Sequence, residues 1–249
     1  MFRFIAVILA LLIPATAHAA DGAQSRAIGF SPDARYFAFE QYGHQDGSGF
    51  AYSDIYVLDI KSDSWVKGTP VRMLSGEDEE NPKISDVRAK ALQQVRLILD
   101  ELKIDSAYDT LAHRPFTEII SDRRKVRFAR YYNSMGNVEG YDAMGSYELS
   151  VQDVKVAQPP ECPDGDFITF VGMELTLKNV KTGVSKPIIK DASIPKSRYC
   201  PHGYDIEAIF APADYGLPDD PMVALIGVYS RGFEGSDRRF IAVPFSLFE

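Results

Sequence analysis

Few residues in this sequence have the types and spacing that metal binding or catalysis requires. Of its four histidines, His18 lies in the first twenty residues, and His44, His113 and His202 are far apart. A metal site built from them would need ligands from distant loops. The sequence contains no Gly-x-Ser-x-Gly elbow, no His-Glu-x-x-His motif and no phosphate-binding glycine loop. We therefore expect no metal site and no cofactor.

The acidic residues leave one catalytic class open. Carboxylate-dependent hydrolases use two Asp or Glu side chains that come from separate parts of the chain, so they carry no short motif. The sequence has 35 acidic residues, and a pair of them buried together in a cleft would favour such an enzyme. A hydrolase of this kind is therefore an alternative to a non-catalytic protein.

A basic segment, residues 123–130, stands out in an acidic chain. Its sequence is RRKVRFAR, and we select Arg127 and Arg130 as candidate contacts for an anionic ligand or an acidic partner. Val126 and Phe128 alternate with charged residues, which is typical of a half-exposed strand. A solvated strand face is therefore the alternative interpretation.

A second candidate binding region adjoins a glycine-rich loop, residues 43–49. His44 lies in this loop, and Phe50 and Tyr52 follow it. Aromatic rings at a loop can stack on sugars, whereas most aromatic side chains of a β domain fill its core. We predict ligand contacts at His44, Phe50 and Tyr52, with burial of the two aromatic rings in the core as the alternative.

The start of the sequence predicts export. Arg3 supplies a positive charge, residues 4–13 are apolar, Pro14 ends this run, and residues 17–19 are Ala-His-Ala, a small-x-small pattern for signal peptidase. A transmembrane helix would need about 20 apolar residues, so this run is too short for one.

The predicted signal peptide covers residues 1–19, with cleavage before Ala20 or Asp21. We expect residues 20–249 to form one mainly-β domain that works in the periplasm or outside the cell. The net charge of the full chain is -8, and such a surface repels nucleic acid phosphates. No second apolar run is long enough to span a bilayer. We therefore expect neither nucleic acid binding nor stable membrane insertion.

The chain has two cysteines, Cys162 and Cys200. In an oxidising compartment an even pair predicts one structural disulfide. A redox-active pair usually has Cys-x-x-Cys spacing, which is absent here.

One long helix is predicted at about residues 85–102. Leu92, Val95, Leu99 and Leu102 recur at spacings of three and four, so they share one face of the helix. This apolar face is expected to pack on a sheet.

The remaining periodicity predicts strands. They are expected at residues 27–30, 36–40, 54–60, 125–132, 146–156, 167–177, 185–189, 204–210, 222–229 and 240–245. Residues 105–117 are expected to form a loop or a short helix. The pattern indicates a mainly-β fold of antiparallel β-meanders, either propeller-like or a sandwich, with one docked amphipathic helix.

The two ends of the mature chain resemble each other. Residues 27–60 and residues 207–244 each show a strand, a proline turn, an apolar strand that ends in tyrosine, a glycine-rich hairpin and a further strand. Repeats of about 40 residues are typical of propeller blades or duplicated meanders. A true repeat predicts the same strand order in both units and their pairing in one sheet. Chance likeness between hairpins is the alternative.

The first unit also resembles a known fold. Residues 30–39, FSPDARYFAF, and residues 54–59, DIYVLD, are similar to a blade of the TolB-type propellers, with Ala34 in place of the usual glycine. Over the whole chain, the signal peptide and the segments FSPDARYFAFEQYG, DIYVLDIKSDSWV and GFEGSDRRFIAVPF resemble a bacterial family of predicted secreted proteins of unknown function. That resemblance implies export and no particular activity.

Together these observations predict an exported, non-catalytic binding or scaffold module of the bacterial envelope. Its partner would be an envelope protein or a small ligand. A carboxylate-dependent hydrolase that acts on an envelope glycan or peptide is the alternative. A groove lined by aromatic side chains and Arg127 would favour binding, whereas paired buried acids in a cleft would favour the hydrolase.

Overall fold

A computed structural model of the protein describes residues 20–76, 83–105, 107–131, 144–162, 168–213, 220–233 and 235–247. The described residues form thirteen β-strands and one α-helix. In chain order these are β1 (Gln24–Phe30), β2 (Tyr36–His44), β3 (Ala51–Asp59), β4 (Ser64–Trp65), β5 (Val71–Leu74), α1 (Ile84–Glu101), β6 (Tyr108–His113), β7 (Lys125–Tyr131), β8 (Met144–Val154), β9 (Gly172–Asn179), β10 (Ser185–Lys190), β11 (Pro201–Pro212), β12 (Met222–Arg231) and β13 (Ser236–Phe245). The predicted signal peptide lies outside the described residues.

The first sheet is an antiparallel meander of β1, β2 and β3, and both β4 and β5 pair with β3. Aromatic residues at alternating positions give this sheet an apolar inner face. Phe39 and Tyr56 stack with their ring centroids 4.9 Å apart, and Phe37 lies 5.8 Å from Phe210 of β11. The inner face therefore packs on the sheet that contains β11.

The central sheet has the order β13-β12-β11-β6 and is buried on both faces. Successive residues of β12 show this directly. Val223 and Leu225 pack towards the first sheet, whereas Ala224 and Ile226 pack in the opposite direction, because side chains alternate along a strand.

The third sheet, β10-β9-β8-β7, covers the other face of the central sheet. Leu149, Val151 and Leu175 are buried in the same cluster as Ile206 and Ile226 of the central sheet. The three sheets thus stack in layers, which confirms the mainly-β antiparallel fold in its sandwich form. The described strands do not close into a propeller ring.

Helix α1 docks on the outer face of the first sheet, as predicted. Ala91 and Val95 are buried in one cluster with Ile55 and Val57 of the sheet, and Val87 of the helix is buried as well. Of the four apolar residues that were predicted to be buried, Val95 is fully buried, and the other three, Leu92, Leu99 and Leu102, are partly buried.

A buried carboxylate fastens the same helix to the sheet. Glu40 of β2 is fully buried and accepts two hydrogen bonds from Arg88 of α1, both at 2.9 Å. Arg26 of β1 and the hydroxyl of Ser53 in β3 also donate to it, at 3.1 and 2.9 Å. Arg88 therefore faces the sheet.

Two expectations differ from the structure. Residues 105–117 contain a strand, β6, which pairs with β11 along the edge of the central sheet. The expected pairing of the two terminal units in one sheet is also wrong. Both units have the predicted meander order, β1-β2-β3 and β11-β12-β13, but they lie in separate sheets that pack face to face.

The predicted disulfide is present between Cys162 and Cys200, with a sequence separation of 38 residues. Cys162 packs in a small apolar cluster with Phe170 and Ile194. The bond therefore holds the segment before β11 against the segment that leads into β9.

Candidate functional site

Two pockets open where the start of β11 pairs with the end of β12. The hairpin pocket has a volume of about 480 Å³ and is lined by Phe170, Tyr199, Cys200, Ser230, Arg231, Asp237 and Arg239. The corner pocket has a volume of about 390 Å³ and is lined by Ser121, Asp122, Arg123, Arg124, His202, Gly203, Tyr204, Asp205 and Tyr229. Both volumes are within the range of small-molecule sites.

The corner pocket lies where the chain passes from the central sheet to the third sheet. The amide of Ile206 in β11 donates to the carbonyl of Arg123, and the amide of Val151 in β8 donates to the carbonyl of Arg124, both at 2.9 Å. The backbone of Arg123 is thus bonded to the central sheet, and the backbone of the next residue, Arg124, is bonded to the third sheet. This places the side chains of Arg123 and Arg124 at the junction.

A buried ionic network lies at the corner pocket. The guanidinium of Arg238 donates to both oxygens of Asp205, at 2.8 and 2.9 Å, and to Oε2 of Glu207 at 2.9 Å. Each of these three residues is at most 4% exposed. Carboxylates at this depth need a paired cation, and Arg238 supplies one that bonds to both acids.

Further donors occupy the remaining acceptor positions of Asp205. Its Oδ2 accepts from Nε of Arg123 and from the hydroxyl of Tyr229, each at 3.0 Å. Burial raises the pKa of Tyr229 to about 12, so this hydroxyl keeps its proton and donates. The carboxylate is thus turned towards donors of its own chain, which suits a structural role better than proton exchange with a ligand.

Gly227 of β12 makes room for this network. A Cβ at this position would overlap Oδ1 of Asp205 and would lie 2.8 Å from Nε of Arg238. The pairing of the two charges therefore depends on a residue without a side chain in the neighbouring strand.

The hairpin pocket presents an exposed cation. Arg231, the last residue of β12, is exposed, and no ion pair or side-chain hydrogen bond ties its guanidinium to another residue that the structure describes. The second arginine of the lining is held in place. Arg239 bonds through Nη2 to the carboxylate of Asp21, donates from Nη1 to the Asp21 carbonyl at 3.2 Å, and lies 4.7 Å from the ring centroid of Tyr52.

The apolar side of the hairpin pocket comes from two rings beside the disulfide. Phe170 is buried, whereas Tyr199 is 71% exposed and adjoins Cys200. Tyr199 has φ 55° and ψ -126°, a positive-φ backbone conformation that is uncommon for residues other than glycine. Such conformations concentrate at functional sites, where the surrounding structure maintains them.

An acidic residue, Asp237, completes the polar part of the hairpin pocket. Burial raises its pKa, and the charges of Asp21 and Asp46 act in the same direction, whereas Arg239 lowers it. Its Oδ1 is buried and has no hydrogen-bond partner in the part of the chain that the structure describes. The pocket therefore combines an exposed guanidinium, an aromatic wall and a carboxylate.

The two predicted arginines do not share a site. Arg127 is exposed on β7 and pairs with Glu148 across the strand at 3.0 Å. Arg130, on the opposite face of β7, is only 2% exposed, with Nη2 at 3.7 Å from the carboxylate of Asp220. Both belong to the third sheet and line neither described pocket.

The other predicted contacts lie in the β2–β3 hairpin of the first sheet. Tyr52 is buried and donates its hydroxyl to Asp21 at 2.9 Å, and its ring contacts Arg239 of the hairpin pocket. Phe50 is half-buried and His44 is exposed at the end of β2. Of the five predicted residues, Tyr52 is therefore the one that reaches the wall of a described pocket.

Sequence reasoning missed Arg231, Arg238 and Arg239. The signal that could have found them is the segment RGFEGSDRRF, residues 231–240. In this segment a glycine-rich turn separates Arg231 from the pair Arg238-Arg239. Two consecutive arginines within an otherwise apolar strand must point to opposite faces. At least one of them therefore had to lie inside the protein.

The fold and the two pockets define a layered, mainly-β domain with a disulfide and a ligand-sized pocket beside one hairpin. Among the described residues, no helix has the length and apolar content to cross a membrane. In the same residues, no group of three or more potential ligand side chains is arranged around a metal position.

The chain belongs to the family described as Predicted secreted protein (DUF2259), whose model matches residues 38–246. The comparison with curated proteins and the comparison with solved structures each return no match. The family assignment agrees with the export that the first nineteen residues predict.

Proposed function

We propose that this protein is an exported, non-catalytic binding module whose ligand is a small organic anion with an apolar, planar part. The observation that carries the proposal is the exposed guanidinium of Arg231 beside the apolar wall of the hairpin pocket, formed by Phe170 and Tyr199. An arginine can bind a carboxylate through two parallel hydrogen bonds, and the rings provide a surface for an apolar group.

The net negative charge of the protein supports the proposal that Arg231 itself attracts the anionic ligand. The chain as a whole is acidic, with net charge -8, so an anionic ligand gains little from the general field of the protein. Its affinity must come from a cation that is free to bind it. Arg123 and Arg239 are already bonded to Asp205 and Asp21, whereas Arg231 is not engaged by the described residues.

The hydrolase remains the second candidate because the chain does bury two acids together. Asp205 lines the corner pocket, and Glu207 shares its partner Arg238. A general acid or base needs an oxygen that is free to exchange a proton with the substrate. The donors that already surround Asp205 make this function the less favoured one.

The experiment compares a carboxylate probe with its uncharged amide of nearly equal shape. Wild-type protein with its disulfide intact is titrated with 3-phenylpropionate and with 3-phenylpropanamide, and binding is followed by ¹H–¹⁵N NMR. We expect millimolar affinity for the carboxylate, the usual strength for a fragment. The amide should bind about tenfold more weakly, because it lacks the charge-assisted hydrogen bond.

Two variants identify the cation. Arg231→Gln should remove the preference for the carboxylate, whereas Arg96→Gln, at a 76% exposed position on α1, should leave it unchanged. Equal binding of both probes, or shift changes that avoid residues 199–200 and 230–239, would contradict the proposal. Cleavage of an envelope glycan or peptide by wild type, lost in Asp205→Asn, would favour the hydrolase instead.

A further inference from the structure

The first described residues of the chain pair with the edge of β13 through an isolated β-bridge. Gly22 pairs with Arg238 in a parallel bridge. The amide of Arg238 donates to the carbonyl of Asp21 at 2.8 Å, and the amide of Ala23 donates to the carbonyl of Arg238 at 3.1 Å. Residues 20–23 thus cover part of an edge that would otherwise expose unpaired backbone groups.

The side chain of Asp21 is buried in this arrangement. It is 3% exposed, its Oδ2 bonds to Nη2 of Arg239, and its Oδ1 accepts the hydroxyl of Tyr52 at 2.9 Å. Burial raises the pKa of Tyr52, which keeps this hydroxyl a donor. Both oxygens of Asp21 are therefore used to fix neighbouring side chains.

Arg239 is the link between Asp21 and the hairpin pocket. Its guanidinium lies between the ring of Tyr52, at 4.7 Å, and the carboxylate of Asp21, and the same residue lines the pocket. Without the carboxylate, a long and flexible arginine side chain would lose its main anchor. The pocket wall that Arg239 forms would then have no fixed position.

We infer that Asp21 is a positioning residue for the hairpin pocket, so the amino-terminal segment of the processed chain completes the ligand site. The identity of the ligand rests on the proposed function, whereas the contacts that Asp21 makes with Arg239 and Tyr52 do not. It also limits where the signal peptide is removed. Cleavage before Ala20 or before Asp21 keeps the anchor, whereas cleavage after Asp21 would discard it.

The test uses the exported, disulfide-bonded protein. Intact mass and N-terminal sequencing should give a mature chain that starts at residue 20 or 21. In ¹H–¹⁵N spectra the Nε–H signal of Arg239, assigned by its loss in Arg239→Lys, should be sharp in wild type. It should broaden or disappear in Asp21→Ala, and Asp21→Glu should restore it.

The matched control is Asp59→Asn, because Asp59 holds Arg35 at an exposed surface pair and should leave the Arg239 signal unchanged. Asp21→Asn provides a variant of nearly equal shape in case Asp21→Ala does not fold. For 3-phenylpropionate we expect about tenfold weaker binding in Asp21→Asn and no change in Asp59→Asn.

The outcomes separate the two proposals. If wild type binds no probe but the Arg239 signal still depends on Asp21, the proposed ligand is wrong and the positioning role stands. If wild type binds the probe and Asp21→Asn changes neither binding nor the Arg239 signal, the positioning role is wrong. A mature chain that begins at residue 22 or later would also overturn it.

Discussion

Replacement of Arg238 by methionine tests whether the buried ionic network stabilises the stacked sheets. The change keeps a long apolar side chain and removes the guanidinium that donates short hydrogen bonds to both Asp205 and Glu207. Loss of one partner of a buried ion pair typically costs about 3–5 kcal/mol. Asp205 would still accept from Arg123 and Tyr229, each at 3.0 Å, so most of the loss should come from Glu207.

Glu207 has only weak contacts apart from Arg238. Its carboxylate lies 3.6 Å from Nη2 of Arg123, 3.6 Å from Nε2 of His113 and 3.5 Å from the hydroxyl of Ser25. These distances are at or beyond the limit of a hydrogen bond. We therefore expect Arg238→Met to lower the free energy of unfolding by about 3 kcal/mol, the lower part of the range for a broken buried pair.

Urea unfolding, followed by far-UV circular dichroism and by the fluorescence of Trp65, measures this loss. Glu207→Gln in the Arg238→Met background removes the unpaired charge and should recover about 2 kcal/mol, which a double-mutant cycle can isolate. Arg35→Met, which breaks the exposed pair with Asp59, should cost less than about 1 kcal/mol. A loss below about 1 kcal/mol for Arg238→Met, or no recovery with Glu207→Gln, would refute this account of the network.

Two further predictions concern the helix and the pH dependence of stability. Val95→Ala, at a fully buried position of α1, should lower the free energy of unfolding by about 2–3 kcal/mol. Leu97→Ala, at 81% exposure, should change it by less than about 0.5 kcal/mol, and similar losses in urea unfolding would show that the helix does not dock as described. Burial raises the pKa of Asp54, although its bond to Gln41 lowers it, so the folded protein binds this proton more tightly than the unfolded chain does. This group's contribution to stability should therefore fall as pH rises from about 3.8 through the raised pKa. Between pH 3.5 and 7, Asp54→Asn should remove this group's part of the dependence of the free energy of unfolding on pH. Parallel plots of that free energy against pH for wild type and variant would exclude a contribution from Asp54.

The sequence predicts most of the fold because its strands alternate cleanly and its single long helix has a regular apolar face. Strand β6 was missed for a physical reason. Its sequence, YDTLAH, is mostly exposed or half-buried and lies at the edge of the central sheet, so it carries little apolar periodicity. Its pairing with β11 is a long-range contact that no local pattern encodes.

Local sequence patterns also could not predict which sheets pack against each other. Residues such as Asp205 and Glu207 alternate with apolar neighbours in β11, which is the pattern of a strand with one solvated face. Only the packing of sheets on both sides of the central sheet places these acids inside the protein. Arg130, which was expected to be accessible, is buried for a different reason, because it lies on the same face of β7 as Val126 and Phe128, and that face packs on the central sheet.

The candidate site could be predicted only in part. Tyr52 was selected because it follows a glycine-rich loop, and it does contact Arg239 of the hairpin pocket. Its hydroxyl, however, is directed to Asp21, which lies 31 residues earlier in the chain. The pocket combines segments near residues 21, 199 and 231, and sequence spacing gives no information on such a combination.

The consecutive pair Arg238-Arg239 connects the stability of the fold with the candidate binding site. Because neighbouring side chains of a strand point to opposite faces, Arg238 enters the ionic network with Asp205 and Glu207, whereas Arg239 reaches Asp21 and the hairpin pocket. The backbone of Arg238 also pairs with the amino-terminal segment. A shift of β13 by one residue would exchange the two arginines and disrupt both sites together. The register of this last strand therefore determines at once whether the central sheet is stable and whether the pocket is formed.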